Sequence, residues 1–156
     1  QGDEPLIIPN DLTKMIKEFS DPEVKIVNLM SKIKSRESFE DKNNVKVVVK
    51  ENMNALYFSR EPIPSMWQKE EIEGKFMQVG AIAFQRKALQ EFEEMKESLL
   101  EKIESVDMNR ILEKGGNIKM VITNSEMIGV DTRKEAIKVS SLLENDIFFE
   151  GYKSIK

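Results

Sequence analysis

Five short runs rich in β-branched and other apolar residues constrain the fold of this chain more than any other feature. They lie at residues 25–33, 45–49, 55–59, 75–84 and 118–122. Runs of this length and composition, bounded by turn residues, read as strands. Glu51-Asn52-Met53-Asn54 supplies turn residues between the second and third, so those two pair as a hairpin. Between the strands the apolar residues recur at helical spacing. Pro9-Asn10-Asp11 opens a first helix, with Asn10 as the expected N-cap, Asp11 suited to the positive end of the dipole, and Leu12, Met15, Ile16 and Phe19 on its apolar face. A second spans 86–95, with Ala88, Leu89, Phe92 and Met95 on one face. A third runs unbroken over 99–114, with Leu99, Ile103, Val106 and Arg110 as a stripe and Gly115-Gly116 as its stop. Thr132-Arg133-Lys134-Glu135 has the form of a capping box, opening a last helix with Ala136, Val139 and Leu143 inward. Residues 34–44 and 65–74 are charged and read as loops, and 146–156 as a poorly patterned tail. Strands alternating with helices specify one α/β domain whose sheet is partly antiparallel.

The chemistry open to such a domain is narrowed by two absences. The chain has no Cys and no His. That removes disulfides, thiolate nucleophiles, imidazole bases and His- or Cys-ligated metals. Carboxylates, hydroxyls, amides, Arg and Lys remain, and the cation suited to them is a hard one held by oxygen. The net charge of −4 argues against a nucleic-acid partner. No apolar run approaches the roughly 18–20 residues of a membrane span. Nor is there a signal peptide at the start, so a cytoplasmic protein is expected. The chain begins Gln1-Gly2-Asp3-Glu4-Pro5 and goes directly into Leu6-Ile7-Ile8, as a strand end turning into a loop would. A C-terminal part of a larger domain is the expectation.

Four segments stand out in order: Gln1-Gly2-Asp3-Glu4-Pro5-Leu6-Ile7, Asn44-Val45-Lys46-Val47-Val48, Ala55-Leu56-Tyr57-Phe58-Ser59-Arg60-Glu61-Pro62-Ile63-Pro64 and Gly129-Val130-Asp131-Thr132. With this set the chain resembles the CMP-Kdo synthetase family, the 3-deoxy-manno-octulosonate cytidylyltransferases. The resemblance implies a Rossmann-like nucleotidyltransferase fold with a mixed sheet and a β-hairpin dimerisation region. It also implies transfer of CMP from CTP to a 3-deoxy-2-ulosonic acid with Mg2+, in a homodimer serving lipopolysaccharide or surface-glycan synthesis. The family's Gly- and basic-rich nucleotide loop would lie upstream of Gln1.

The resemblance makes Asp3 and Asp131 the metal ligands and catalytic carboxylates, although each is also an ordinary turn or cap residue. Arg60 becomes a catalytic and substrate-binding residue, its fork matched to the sugar's carboxylate. The plainer alternative is a surface Arg paired with Glu61. Gln1, in the opening motif, joins the substrate contacts. Glu101, Glu104 and Asp107 recur every third residue, which puts three carboxylates near one helix face. Glu104 and Asp107 are expected to meet sugar hydroxyls, the plainer alternative being a solvated helix face with Arg110 pairing to Asp107, and for Glu101 the two readings are balanced. At residues 78–85 the family commonly has His, Tyr, Tyr and Arg where this chain has Gln78, Ile82, Phe84 and Gln85. These differences bear on which sugar is used, an amino-Kdo or another nonulosonic acid included. Gln78 can still exchange hydrogen bonds there. Asn44 and Lys46 read as a turn residue and a solvent-facing strand residue. A non-catalytic sugar-acid-binding domain is the alternative of a different class.

Overall fold

The computed structural model describes residues 2, 4–67, 73–125, 127–130, 132–144 and 146. Its frame is a mixed sheet of five strands in the order β3-β2-β4-β1-β5. The strands are β1 (Ile26–Lys32), β2 (Lys46–Val49), β3 (Ala55–Ser59), β4 (Phe76–Phe84) and β5 (Lys119–Thr123). All five fall where the apolar runs place them. β1 and β5 pair parallel, and the other pairs are antiparallel. β1 is buried along six of its seven residues, as a continuous apolar run in a sheet centre should be.

Alternation along the strands divides the core in two. Ile26 and Met30 point into a cluster with Val47, Phe58, Met108, Ile111, Ile118 and Met120. Val27 and Leu29 point the other way, with Met15, Val79, Val121 and Met127. The helix α1 (Pro9–Glu18) covers the second cluster. The helices α3 (Arg86–Glu94), α4 (Leu99–Glu104) and α5 (Asn109–Glu113) lie by the first, into which Ala88, Met108 and Ile111 are packed. The final helix, α6 (Arg133–Leu143), starts at the expected capping box, where Thr132 accepts from the Glu135 amide and Glu135 from that of Thr132. Among the described residues no helix is long and apolar enough to cross a membrane.

Several local expectations are corrected. Helix α1 begins at Pro9 with Ile8 in the cap position, so Asn10 lies inside it. Proline fits the first turn because its missing N–H would have no intrahelical acceptor there. Asp11 does more than face the dipole. Its carboxylate is fully buried and accepts from Thr123 Oγ1 at 2.6 Å and Lys14 Nζ at 2.9 Å, tying α1 to the end of β5. The 34–44 segment contains a short helix, α2 (Arg36–Glu40), capped by Ser35. The expected helix over 99–114 is broken at Ser105, which takes the left-handed conformation at φ +51°. The break turns Val106 and Met108 inward and leaves Leu99 and Ile103 each 66% exposed, so no single apolar stripe forms. Leu89 on α3 is likewise exposed. Gly115, at φ +79°, and Gly116 end α5, and a Cβ on Gly116 would come within 2.6 Å of Ile111 Cγ2.

Candidate functional site

A cleft of about 880 Å3 opens where the ends of β1 and β4 meet the 34–45 segment, the Ser105 turn and the chain after β5. Arg60, Gln78 and Asp107 line it together, from three separate elements. Glu104 is not among its lining residues. Gln1, Asp3 and Asp131 lie outside the described residues. Their described neighbours Gly129 and Glu4 both line the cleft. Among the described residues no group of His, Cys, Asp or Glu is clustered to hold a metal.

One wall is built on α4. Glu104 accepts hydrogen bonds from Tyr57 Oη (3.1 Å), Ser59 Oγ (2.9 Å) and the Arg60 amide (2.8 Å). Burial pushes this carboxyl up, but those donors and the Arg60 charge outweigh it and hold Glu104 below its ordinary value. Burial and the same bond push the Tyr57 phenol up. Arg60 does not pair with Glu61, which instead meets Lys42 at 2.6 Å. Its guanidinium donates to the carbonyls of Glu104 (2.8 Å), Lys42 (3.0 Å) and Ser105 (3.2 Å). A cation on the last carbonyls of α4 satisfies both their hydrogen bonding and the helix dipole. Two of the guanidinium's five N–H donors remain.

Lys46 supports Arg60 from behind. Its side chain is wholly buried rather than solvent-facing, and donates to the carbonyls of Asp41 (2.8 Å), Asn44 (2.6 Å) and Arg60. Burial holds its pKa below the ordinary lysine value. Glu101 is taken up by the protein as well. It forms the capping box with Ser98 and a two-pronged pair with Arg110, which holds its carboxyl low. Arg110 therefore pairs with Glu101 rather than Asp107. It also stacks over Phe92, 4.5 Å from the ring centre. Asp107 is exposed, and its carboxylate accepts no hydrogen bond from the described residues.

The opposite wall is a β-bulge. The ladder runs from Asn28↔Ile82 to Met30↔Gln78, so Leu29 alone faces Val79, Gly80 and Ala81. Such bulges bend a strand and re-aim its side chains. Asn28 is fully buried and closes the irregularity. Its Nδ2 donates to the carbonyls of Val79 (2.8 Å), Ala81 (2.9 Å) and Leu29 (3.1 Å), and its Oδ1 accepts from Gln78 Nε2 at 2.7 Å. The Gly80 amide donates to Glu4 at 2.9 Å, fastening the N-terminal segment to the same wall. Ser31 lines the cleft with its Oγ buried and without a hydrogen-bond partner among the described residues. Sequence patterning singled out neither Asn28 nor Ser31. The available signal was a polar side chain inside an otherwise apolar central strand.

A family model described as cytidylyltransferase matches residues 1–126. The 3-deoxy-manno-octulosonate cytidylyltransferase of Pelobacter propionicus is 40% identical over 149 residues, which cover 88% of this chain and 58% of that protein. The enzyme of the same name from Christiangramia forsetii is 36% identical over 146 residues, covering 92% and 59%. Among solved structures, a CMP:2-keto-3-deoxy-manno-octonic acid synthetase complexed with CTP is 34% identical with a TM-score of 0.80, over 92% of this chain and 59% of that one. A putative glucose-1-phosphate thymidylyltransferase from Bacillus anthracis shares the fold, at 17% identity and a TM-score of 0.60, over 93% and 53%. The chain thus spans about three fifths of the length of the curated relatives it matches.

Proposed function

Because this chain belongs to the cytidylyltransferase family, we propose that it serves, in the full-length protein, to transfer CMP from CTP to the anomeric hydroxyl of a 3-deoxy-2-ulosonic acid, Kdo or a close relative, with release of pyrophosphate. The observation that carries this is the convergence of Arg60, Gln78 and Asp107 on one cleft, in a chain 34% identical to a CMP:2-keto-3-deoxy-manno-octonic acid synthetase complexed with CTP. Catalysis is positional and electrostatic, without a covalent enzyme intermediate. Arg60, held by three carbonyls, turns its remaining donors to the sugar's carboxylate. Gln78 and Asp107 meet sugar hydroxyls, and Gln1 adds a substrate contact. Glu104 acts at one remove, by fixing Arg60.

Asp3 and Asp131 are the residues that would hold Mg2+. Two carboxylates, with phosphate oxygens and water, are the donor set this ion prefers. Glu4 and Gly129, one and two residues away from them, line the cleft, which supports the assignment. The bound ion would stabilise charge developing at the α-phosphate. The protein works as a cytoplasmic homodimer in lipopolysaccharide or surface-glycan synthesis, with the β2–β3 hairpin at the contact, where Leu56 is 52% exposed. The test is pyrophosphate release by the full-length protein from CTP, Mg2+ and Kdo. Product with Kdo supports the proposal, and no product with any 3-deoxy-ulosonic acid overturns it. A sugar panel addresses the narrower choice, since Gln78 lines the cleft where the family commonly has His, which favours a relative of Kdo as the second possibility. Ile82 and Phe84, by contrast, pack against the core, and Gln85 donates to the Val24 carbonyl.

A further inference from the structure

Amide side chains can usually be turned either way without a structure resolving it. Here the surroundings decide. Asn28 faces three carbonyl oxygens within 3.1 Å, so the group among them must be its NH2. Its Oδ1 then faces Gln78 and can only accept. Gln78 must therefore place its own NH2 against Asn28, at 2.7 Å, and its Oε1 accepts no hydrogen bond from the described residues. Gln78 lines the cleft. One rung along the ladder, where Ser31 faces Met77, the cleft wall holds a second unsatisfied atom, the buried Oγ of Ser31.

From this chain of constraints we infer that Asn28 is a positioning residue that fixes Gln78 as an obligate, uncharged acceptor, and that Gln78 Oε1 receives a hydroxyl or ammonium N–H or O–H from the sugar acid. The inference rests on the proposed transfer to a sugar acid, and goes beyond it by specifying polarity. A group at that point of the sugar that can only accept, such as fluorine or an ether oxygen, is rejected.

Two variants of the full-length protein test it. Gln78→Met keeps the length and removes the acceptor. The KM for Kdo is expected to rise about five- to tenfold, the worth of one hydrogen bond, while the KM for CTP stays put. Gln78→His is the sharper probe. An imidazole there must donate one N–H to Asn28, which leaves the other nitrogen as an acceptor only while the ring is neutral. Relative to the wild type, its KM for Kdo should be near unity at about pH 8. It should rise several-fold at about pH 5.5, on the other side of the ordinary imidazole pKa of about 6.5. A structural role alone would not follow that titration. The inference fails if Gln78→Met keeps the wild-type KM for Kdo, or if the Gln78→His ratio is the same at both pH values. Calorimetric Kd values for Kdo separate it from the proposed function. Binding that follows the same variant pattern without product overturns the transfer and keeps the subsite. Product formation with no variant effect does the reverse.

Discussion

The two walls of the cleft use polar residues in opposite ways. On the α4 side most of the charged groups are engaged by the protein itself, with Asp107 and two of the Arg60 donors left over. Glu104 has three donors, Arg60 three carbonyls, Lys46 three carbonyls, and Glu101 its Arg110 partner. On the bulge side one residue, Asn28, is saturated and leaves Gln78 Oε1 open, and one rung along the strand Ser31 Oγ also lacks a partner among the described residues. Charge alone therefore does not separate ligand contact from scaffold here, since Arg60 and Asp107 line the cleft while Glu101, Glu104 and Lys46 do not. A closed set of hydrogen bonds marks scaffold, because each group's desolvation is already offset. An open buried polar atom marks a place where a ligand lowers the free energy.

The strongest break in this comparison should come at the Glu101–Arg110 pair, whose side chains are only 12% and 14% exposed. Arg110→Met would strand the carboxylate and the Phe92 and Met95 carbonyls that Arg110 also serves. Removing one partner of a mostly buried pair costs about 3 kcal/mol. Urea denaturation should show that loss. A loss below about 1 kcal/mol would mean that the α4 wall is not self-supporting.

Glu104 comes next. Glu104→Leu removes the shared acceptor of Tyr57, Ser59 and the Arg60 amide, for about 2 kcal/mol. Its pH dependence gives a second reading. Glu101 and Glu104 are both held below the ordinary carboxylate value of 4.5. The stability they add is whole above that value and drains away as pH falls through their lowered pKa. The acid limb of the urea midpoint should therefore be shallower in Glu104→Leu than in the wild type, and an unchanged limb would remove Glu104 from the scaffold.

Lys46 tests the same wall from below. Lys46→Met fills the buried space and leaves the Asp41, Asn44 and Arg60 carbonyls short of a donor. Destabilisation of about 1–2 kcal/mol is expected, at the lower end because Met recovers apolar packing and burial already disfavours the ammonium. A thermal melt showing equal or higher stability would place Lys46 outside the knot.

The same contrast explains what could be read from the residues alone. The strands were legible because runs such as Val45-Lys46-Val47-Val48-Val49 leave few alternatives, and the capping box at Thr132 was legible because its signature is local. The break at Ser105 was not. Leu99, Ile103 and Val106 repeat as a helix would, and only the capture of the Glu104 and Ser105 carbonyls by Arg60, 44 and 45 residues away, accompanies the stop. The site followed the same rule. Arg60, Gln78 and Asp107 could be named from motifs and do meet in the cleft. The roles of Lys46, Asn28 and Ser31 depend on carbonyls and registers that no spacing encodes.

The smallest effect on stability, and the one that most sharpens the difference between the walls, belongs to Ser31→Ala. Ser31 is 4% exposed and its hydroxyl has no partner among the described residues. Burying an unbonded hydroxyl costs about 1–3 kcal/mol in proteins, so removing the oxygen should leave the melting temperature unchanged or raise it. The α4 wall has no counterpart, since every deletion there is expected to destabilise. The same substitution should weaken sugar-acid binding a few-fold, because Ser31 lines the cleft and its hydroxyl has both a donor and an acceptor to offer. A stable protein with a raised KM for the sugar acid is the signature of an open wall. A variant that loses about 1 kcal/mol or more of stability, with its KM unchanged, would make Ser31 part of the scaffold and erase the distinction between the two sides of the cleft.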